Sequence, residues 1–274
     1  MFDLTQPEQF KRATQSSFDN TSPAYGTNDD FHWQFAARLV DYAPIIPGQH
    51  LLDIGTGTAP AARLAAHKLG TDGHVFAADL SLGILRLASH SIHTDDTNTI
   101  SLLCADAEYL PVAASSVDGI LCSSAIVWLP NYVEALHDWH RALRPHGWLI
   151  FSCFGGLARQ TVITLLSKSL KPYGQILPEL NAPFNTPEKC QTLLATAGYL
   201  DIRVTIGPDT PLPTNAEASF AWAWAAHTRF GIQLSDTDYD RVRHAYIDAF
   251  RQLVVEQEQW NHDYEQFILA YKSG

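Results

Sequence analysis

The 274-residue chain is 46% hydrophobic and 17% charged, the proportions of one large folded domain with a sizeable core. Its formal net charge of −11 disfavours a nucleic-acid partner or an anionic membrane surface, since both need clustered Lys and Arg. No run reaches the roughly 18 uninterrupted apolar residues of a membrane span.

Residues 1–30 are polar, with turn formers at 19–23 and 26–30, and read as an N-terminal arm or lid in which Tyr25 stands alone. Phe31, Phe35, Leu39 and Val40 recur at helical spacing, so a helix is expected over 31–43, ended by Pro44 and Pro47-Gly48. His50 to Ile54 is the first strand. A glycine turn follows, then an alanine-rich helix from Pro60 to Leu69. His74 to Asp79 is the second strand, and Ser81 is a suitable N-cap for a helix through Ile92. Ile100 to Cys104 and 117–122 are the third and fourth strands. Val133, Leu136, Trp139 and Leu143 mark the next helix, and 148–154 the fifth strand. This alternation predicts a parallel sheet with helices on both faces.

Further on, helices are expected over 157–170, from Thr186-Pro187-Glu188 to Gly198, over 215–231 and over 235–257. Strands are expected at 201–206 and 264–271. A single domain results: arm 1–30, cofactor-binding core 31–206, helical cap insertion 207–260 and last strand 261–274. The cysteines, Cys104, Cys122, Cys153 and Cys190, are far apart, and three lie in apolar runs, which predicts buried thiols. Without a basic-then-apolar leader, the expected compartment is the cytoplasm.

Asp53, Asp79 and Asp106 each close or follow one of the first three strands, about one βα unit apart. A right-handed winding brings them to one edge of the sheet, beside Gly55 and Gly57. A ribose and an exocyclic amine suit such carboxylates. A lone Asp after a strand is as readily a turn former or helix cap. The dinucleotide fingerprint fails at its sixth place, where Pro60 stands, and no Gly-Lys-Ser/Thr follows, so this is no phosphate loop. A cationic cofactor without phosphates fits better; S-adenosylmethionine is one.

Leu51-Leu52-Asp53-Ile54-Gly55-Thr56-Gly57-Thr58 resembles motif I of class I S-adenosylmethionine-dependent methyltransferases. Ala77-Ala78-Asp79-Leu80-Ser81 resembles their ribose-binding strand end, and Cys104-Ala105-Asp106-Ala107-Glu108 their adenine-binding turn. The segment from Arg141 to Leu149 resembles their entry to the fifth strand. The likeness is greatest to the small-molecule group that includes ubiquinone/menaquinone-type enzymes. It implies a Rossmann-like, doubly wound, seven-stranded, mostly parallel sheet with an antiparallel last strand, plus a helical cap. It also implies that Asp79 holds the ribose, Leu80 packs on adenine, Asp106 accepts the adenine amine and the Ala107 backbone reads the ring. Gly55 and Gly57, oriented by Asp53, would approach the methionine half. Ser123 and Ser124 would line the methyl, and Tyr25 would cover the cofactor. Ala59 in place of a third glycine, and His146 in place of a glycine before the fifth strand, depart from the pattern.

The resemblance implies methyl transfer by in-line displacement. His32, His227 and Tyr239 are candidates for a base or for orienting the acceptor. Trp33, Trp128, Trp222 and Trp224 are candidate acceptor contacts, as well as ordinary core aromatics, and imply an apolar or aromatic acceptor. No metal site is expected; His137 and His140, three apart, suit the exposed side of the helix that buries Trp139. The expectation is O-methylation, at a hydroxyl or carboxylate, of a small apolar metabolite or short hydrophobic peptide by a monomer or homodimer. C-methylation of a quinone-like acceptor, a non-catalytic cofactor-binding subunit and a nicotinamide dehydrogenase are the rivals.

Overall fold

The computed structural model describes residues 2–3, 6–20, 31–94, 99–177, 179–228, 232, 234–256 and 262–274. Its elements in order are β1 (Phe2–Asp3), α1 (Pro7–Asp19), α2 (Phe31–Tyr42), β2 (His50–Ile54), α3 (Pro60–Leu69), β3 (His74–Asp79), α4 (Leu82–Thr94) and β4 (Ile100–Cys104). There follow β5 (Val117–Ser123), α5 (Tyr132–Ala142), β6 (Leu143–Gly156), α6 (Ala158–Leu170), β7 (Gln175–Ile176), α7 (Pro187–Thr196), β8 (Leu200–Asp209), α8 (Ala216–Thr228), α9 (Asp236–Glu256) and β9 (Asp263–Tyr271).

The main sheet has seven strands in the order β4-β3-β2-β5-β6-β9-β8. β9 is antiparallel to both neighbours, and the remaining pairs are parallel. The chain winds outward from β2 to β4, then returns to place β5 on β2's other side. That reversal opens a crevice at the carboxyl ends of β2 and β5, where doubly wound sheets hold their ligands.

Sequence dictates which face each helix covers. Ala61, Ala62, Ala65 and Ala66 of α3 are buried, and their small side chains let α3 sit close against β3 and α2, which supplies Phe35, Leu39 and Val40. The other sheet face packs Leu136 and Trp139 of α5 and Leu194 of α7. A third cluster stands apart: Val162 and Leu166 of α6, Phe220 and Ala223 of α8, and Val242, Tyr246 and Phe250 of α9. The caps act as sequence predicts. Ser81 Oγ accepts from the Ile84 amide at 3.1 Å, and Thr186 Oγ1 from that of Lys189 at 3.3 Å.

Several expectations change. Residues 7–19 are a helix docked on the sheet edge rather than loose arm. Phe10 is buried beside Trp128 and Leu180, while Asp19 Oδ1 accepts from the Gly83 amide and Ser81 hydroxyl at 2.9 and 2.7 Å. Cys104 is exposed because it ends the edge strand β4; the other thiols are buried. Val133 faces outward and Leu143 already belongs to β6. His137 is exposed as expected, but His140 packs edge-on against Tyr199 with ring centroids 5.0 Å apart. Among the described residues no helix is long and apolar enough to cross a membrane.

Candidate active site

The β2–α3 turn is left-handed at Gly55, Gly57 and Ala59, with φ of +64°, +59° and +66°. Ala59 therefore carries a side chain where glycine is the unstrained choice, a cost of about 1–2 kcal/mol. The turn is tied to its neighbour strand by the Thr56 amide donating to the Ala78 carbonyl at 3.0 Å. Asp53 is fully buried beneath it. Its Oδ2 accepts from Thr56 Oγ1 at 2.5 Å and the Ala62 amide at 3.1 Å, while Oδ1 has no hydrogen-bond partner among the described residues. Burial pushes the Asp53 carboxyl up to about 7 against those two donors, and the Asp79 charge adds to the rise.

Asp79 takes the Gly57 amide on Oδ2 and the Ser81 amide on Oδ1, each at 2.9 Å, so one carboxylate joins the glycine turn to the start of α4. Burial raises it, opposed by the amides of Ser81, Gly57 and Leu80. Asp106 Oδ1 accepts from the Glu108 amide at 2.9 Å, and Oδ2 from Lys11 Nζ at 2.8 Å. Lys11 also reaches the buried Glu108 at 2.6 Å, and Asn131 donates to both Glu108 oxygens, each at 2.9 Å. Burial pulls Lys11 down, but its bonds to Asp106 and Glu108 outweigh that and raise it.

Asp79, Asp106 and Lys11 line one cavity of about 390 Å³. Gly55, Gly57, Asp79, Leu80, Asp106, Ala107, Ser123 and Ser124 line it, as do Phe31, Phe154, Arg159, Asn181 and Trp222, which form one contact group around Phe154, and His32 and Trp128. An annex of about 50 Å³ reaches Asp53 past Gly55, Gly57, Thr58 and Ser124, and His32 borders both spaces. Ser124, at φ +55°, gives its amide to Ser152 Oγ at 3.1 Å, a strained turn at the mouth of the annex.

The structure brings together every predicted cofactor residue except Tyr25, which lies outside the described residues. Of the acceptor candidates it gathers His32, Trp128 and Trp222. Trp224 and Tyr239 pack instead on Phe220 inside the cap cluster, with Trp224 and Tyr239 themselves edge to face at 4.9 Å. Trp33 lies over the Arg63 guanidinium at 4.9 Å, off the cavity. His227 belongs to α8, but its side chain is outside the described residues. Sequence reading passed over Lys11 and Gln15 on α1, Arg159 on α6 and Asn181. Phe10, Thr14 and Phe18, recurring at every fourth place, were the available signal for α1.

A methyltransferase-domain family matches residues 52–151. The chain is 32% identical over 143 residues to malonyl-[acyl-carrier protein] O-methyltransferase of Marinomonas sp. strain MWYL1, covering 52% of each protein. It thus spans about half the length of that relative. It is 30% identical over 148 residues to aklanonic acid methyltransferase DauC of Streptomyces sp. strain C5, covering 54% of this chain and 67% of that one. The fold matches phosphoethanolamine N-methyltransferase 2 of Haemonchus contortus, solved with phosphomonomethylethanolamine and S-adenosylhomocysteine, at a TM-score of 0.56 and 22% identity, over 88% of this chain and 52% of that one. The matched family segment runs from the acid-and-glycine turn through the strands that build the cavity's floor, and the chain belongs to the S-adenosylmethionine-dependent methyltransferases.

Proposed function

We infer that this methyltransferase acts on an oxygen, hydroxyl or carboxylate, of a small, largely apolar acceptor. The observation that carries this reading is the continuity of the cavity from the carboxylates Asp79 and Asp106 to a wall built from Phe31, Phe154, Trp128 and Trp222. When bound, S-adenosylmethionine supplies a methyl group already activated on a sulfonium. The site suits it: Asp79 keeps a lone pair on each oxygen for ribose hydroxyls, and the buried Asp53, with Oδ1 unpartnered, lies beside an annex into which the ammonium end of the zwitterionic amino-acid tail would fit. The protein's part is to position the acceptor and exclude water. His32, bordering both spaces, is placed to orient or deprotonate an acceptor hydroxyl; a carboxylate needs no base.

Incubation with methyl-tritiated S-adenosylmethionine and a panel of apolar alcohols, phenols and carboxylic acids is expected to label an organic-soluble product. Base-labile label marks a methyl ester; base-stable label marks an ether or a carbon-bound methyl. Micromolar cofactor binding without transfer to any of the panel would retire the O-methylation reading.

Asp53 makes cofactor binding pH-dependent. Below its raised value of about 7 the free protein holds Asp53 protonated, and the ammonium of a bound tail favours the carboxylate. Affinity is expected to rise as pH approaches 7 and to level off above it. At about pH 6, calorimetry in buffers of different ionisation enthalpy is expected to register release of up to one proton per site. Proton uptake there would contradict this placement of the tail.

A further inference from the structure

At the acceptor end of the cavity one cation stands among aromatic rings. The Arg159 guanidinium carbon lies 3.7 Å from the Phe154 ring centroid and 5.2 Å from that of Trp222. Cation–π contacts of this kind hold the guanidinium against the rings without consuming its N–H donors, which stay available to a partner. Its side chain is 17% exposed and lines the cavity.

Asp263 does not use up those donors. Both its oxygens are capped by backbone amides at the start of α6, Ala158 at 2.8 Å and Arg159 at 3.0 Å. Arg159 Nε lies 3.2 Å from Oδ2 but is not aligned for a hydrogen bond. Glu265, the next acid behind, is held by both Nε and Nη2 of Arg38, at 2.6 and 2.5 Å. Among the described residues no acceptor takes a hydrogen bond from Arg159's side chain. A second polar group is also unmet: Asn181 is 9% exposed, gives Nδ2 to the Phe154 carbonyl at 2.5 Å, and leaves Oδ1 buried without a partner. Both residues are therefore held at Phe154 in the cavity wall, Asn181 with a buried, unpartnered Oδ1 and Arg159 with no side-chain hydrogen bond, an expensive arrangement for the guanidinium unless a ligand meets it.

We propose that Arg159 is the specificity residue of the acceptor site and that the acceptor carries a carboxylate, received on the guanidinium edge between Phe154 and Trp222. A guanidinium fork matches the two coplanar oxygens of a carboxylate. Arg38 and Arg159 balance Asp263 and Glu265, so the cluster supplies direction rather than the surplus positive charge a phosphate dianion requires. The proposal rests on the methyltransferase reading only in naming the bound molecule an acceptor.

The test is calorimetric titration of the full chain, saturated with S-adenosylhomocysteine, with 1-naphthylacetate and its neutral isostere 1-naphthylacetamide. The carboxylate is expected to bind about tenfold or more tightly than the amide, with the difference abolished in Arg159→Met and the amide's affinity kept. Equal affinities, binding of neither compound, or a preference that survives Arg159→Met would overturn the proposal. Tighter binding of 1-naphthyl phosphate than of the carboxylate overturns it too. Should Arg159→Met fail to fold with Asp263 left unpaired, Arg159→Met/Asp263→Asn, which removes both charges, takes its place in the same comparison. Failure of S-adenosylhomocysteine to bind retires the transfer reading; the naphthyl pair, titrated without it, still decides the role of Arg159.

Discussion

Replacing Asp79 by alanine is expected to weaken binding of S-adenosylhomocysteine on the order of a hundredfold, or about 2.7 kcal/mol, with the sheet intact. Each carboxylate oxygen already holds one backbone amide at 2.9 Å and retains acceptor capacity toward the cavity. Two ribose hydroxyls donating to a charged acceptor contribute about 1.5–3 kcal/mol each before the cost of desolvating them. Stability moves less, because the losses and gains oppose one another. Alanine leaves the Gly57 and Ser81 amides without their acceptor, but it also removes a carboxylate raised by burial and repelled by Asp19. Asp79→Asn does not rescue, since its amide group turns donors toward a backbone donor. Calorimetry and a thermal melt on the same preparation read both quantities. An affinity within about threefold of wild type would remove the ribose from Asp79.

The sheet and its carboxyl-end acids were legible because parallel strands buried on both faces are written as short apolar runs, and each of the first three ended on or near an acid. Asp53, Asp79 and Asp106 needed only the winding rule to be placed together. What sequence could not supply was docking held by polar contacts. α1 buries Phe10 and Thr14 and is otherwise fastened by Lys11, Gln15 and Asp19 to the acids and backbone of the site, so its composition reads as solvent-facing. The aromatic cap was legible only in part, for the opposite reason. Trp222 and Trp224 sit two apart on α8, where only one can face the cavity, and a helix apolar all round does not say which. Arg159 escaped notice because its meaning lies in Phe154 and Trp222, which only the fold brings to it.

Gly55 and Gly48 separate two reasons for which a turn keeps glycine, and their alanine variants are expected to diverge. Both have positive φ, +64° and +83°. A side chain at Gly48 would meet nothing within 4 Å, so Gly48→Ala carries only the left-handed penalty, about 1–2 kcal/mol, and leaves cofactor affinity unchanged. At Gly55 an added Cβ would lie 2.3 Å from the Cβ of Ala125, across the crevice between the ends of β2 and β5. Neither backbone can yield locally. Ala125 is held between strained Ser124, whose amide is bound to Ser152 Oγ, and the turn Ile126–Trp128. Gly55→Ala therefore adds an overpacking cost of about 1–3 kcal/mol to the same backbone penalty, and relief comes only by moving the segment that carries Ser123, Ser124 and Trp128. Its melting temperature is expected to fall further than that of Gly48→Ala, and its affinity for S-adenosylhomocysteine to fall at least about tenfold, because the moved segment is cavity wall. Matched melting temperatures and matched affinities in the two variants would mean that the crevice opens freely. Gly55 would then be required for its backbone angle alone, not for the close approach of β2 and β5 that defines the site.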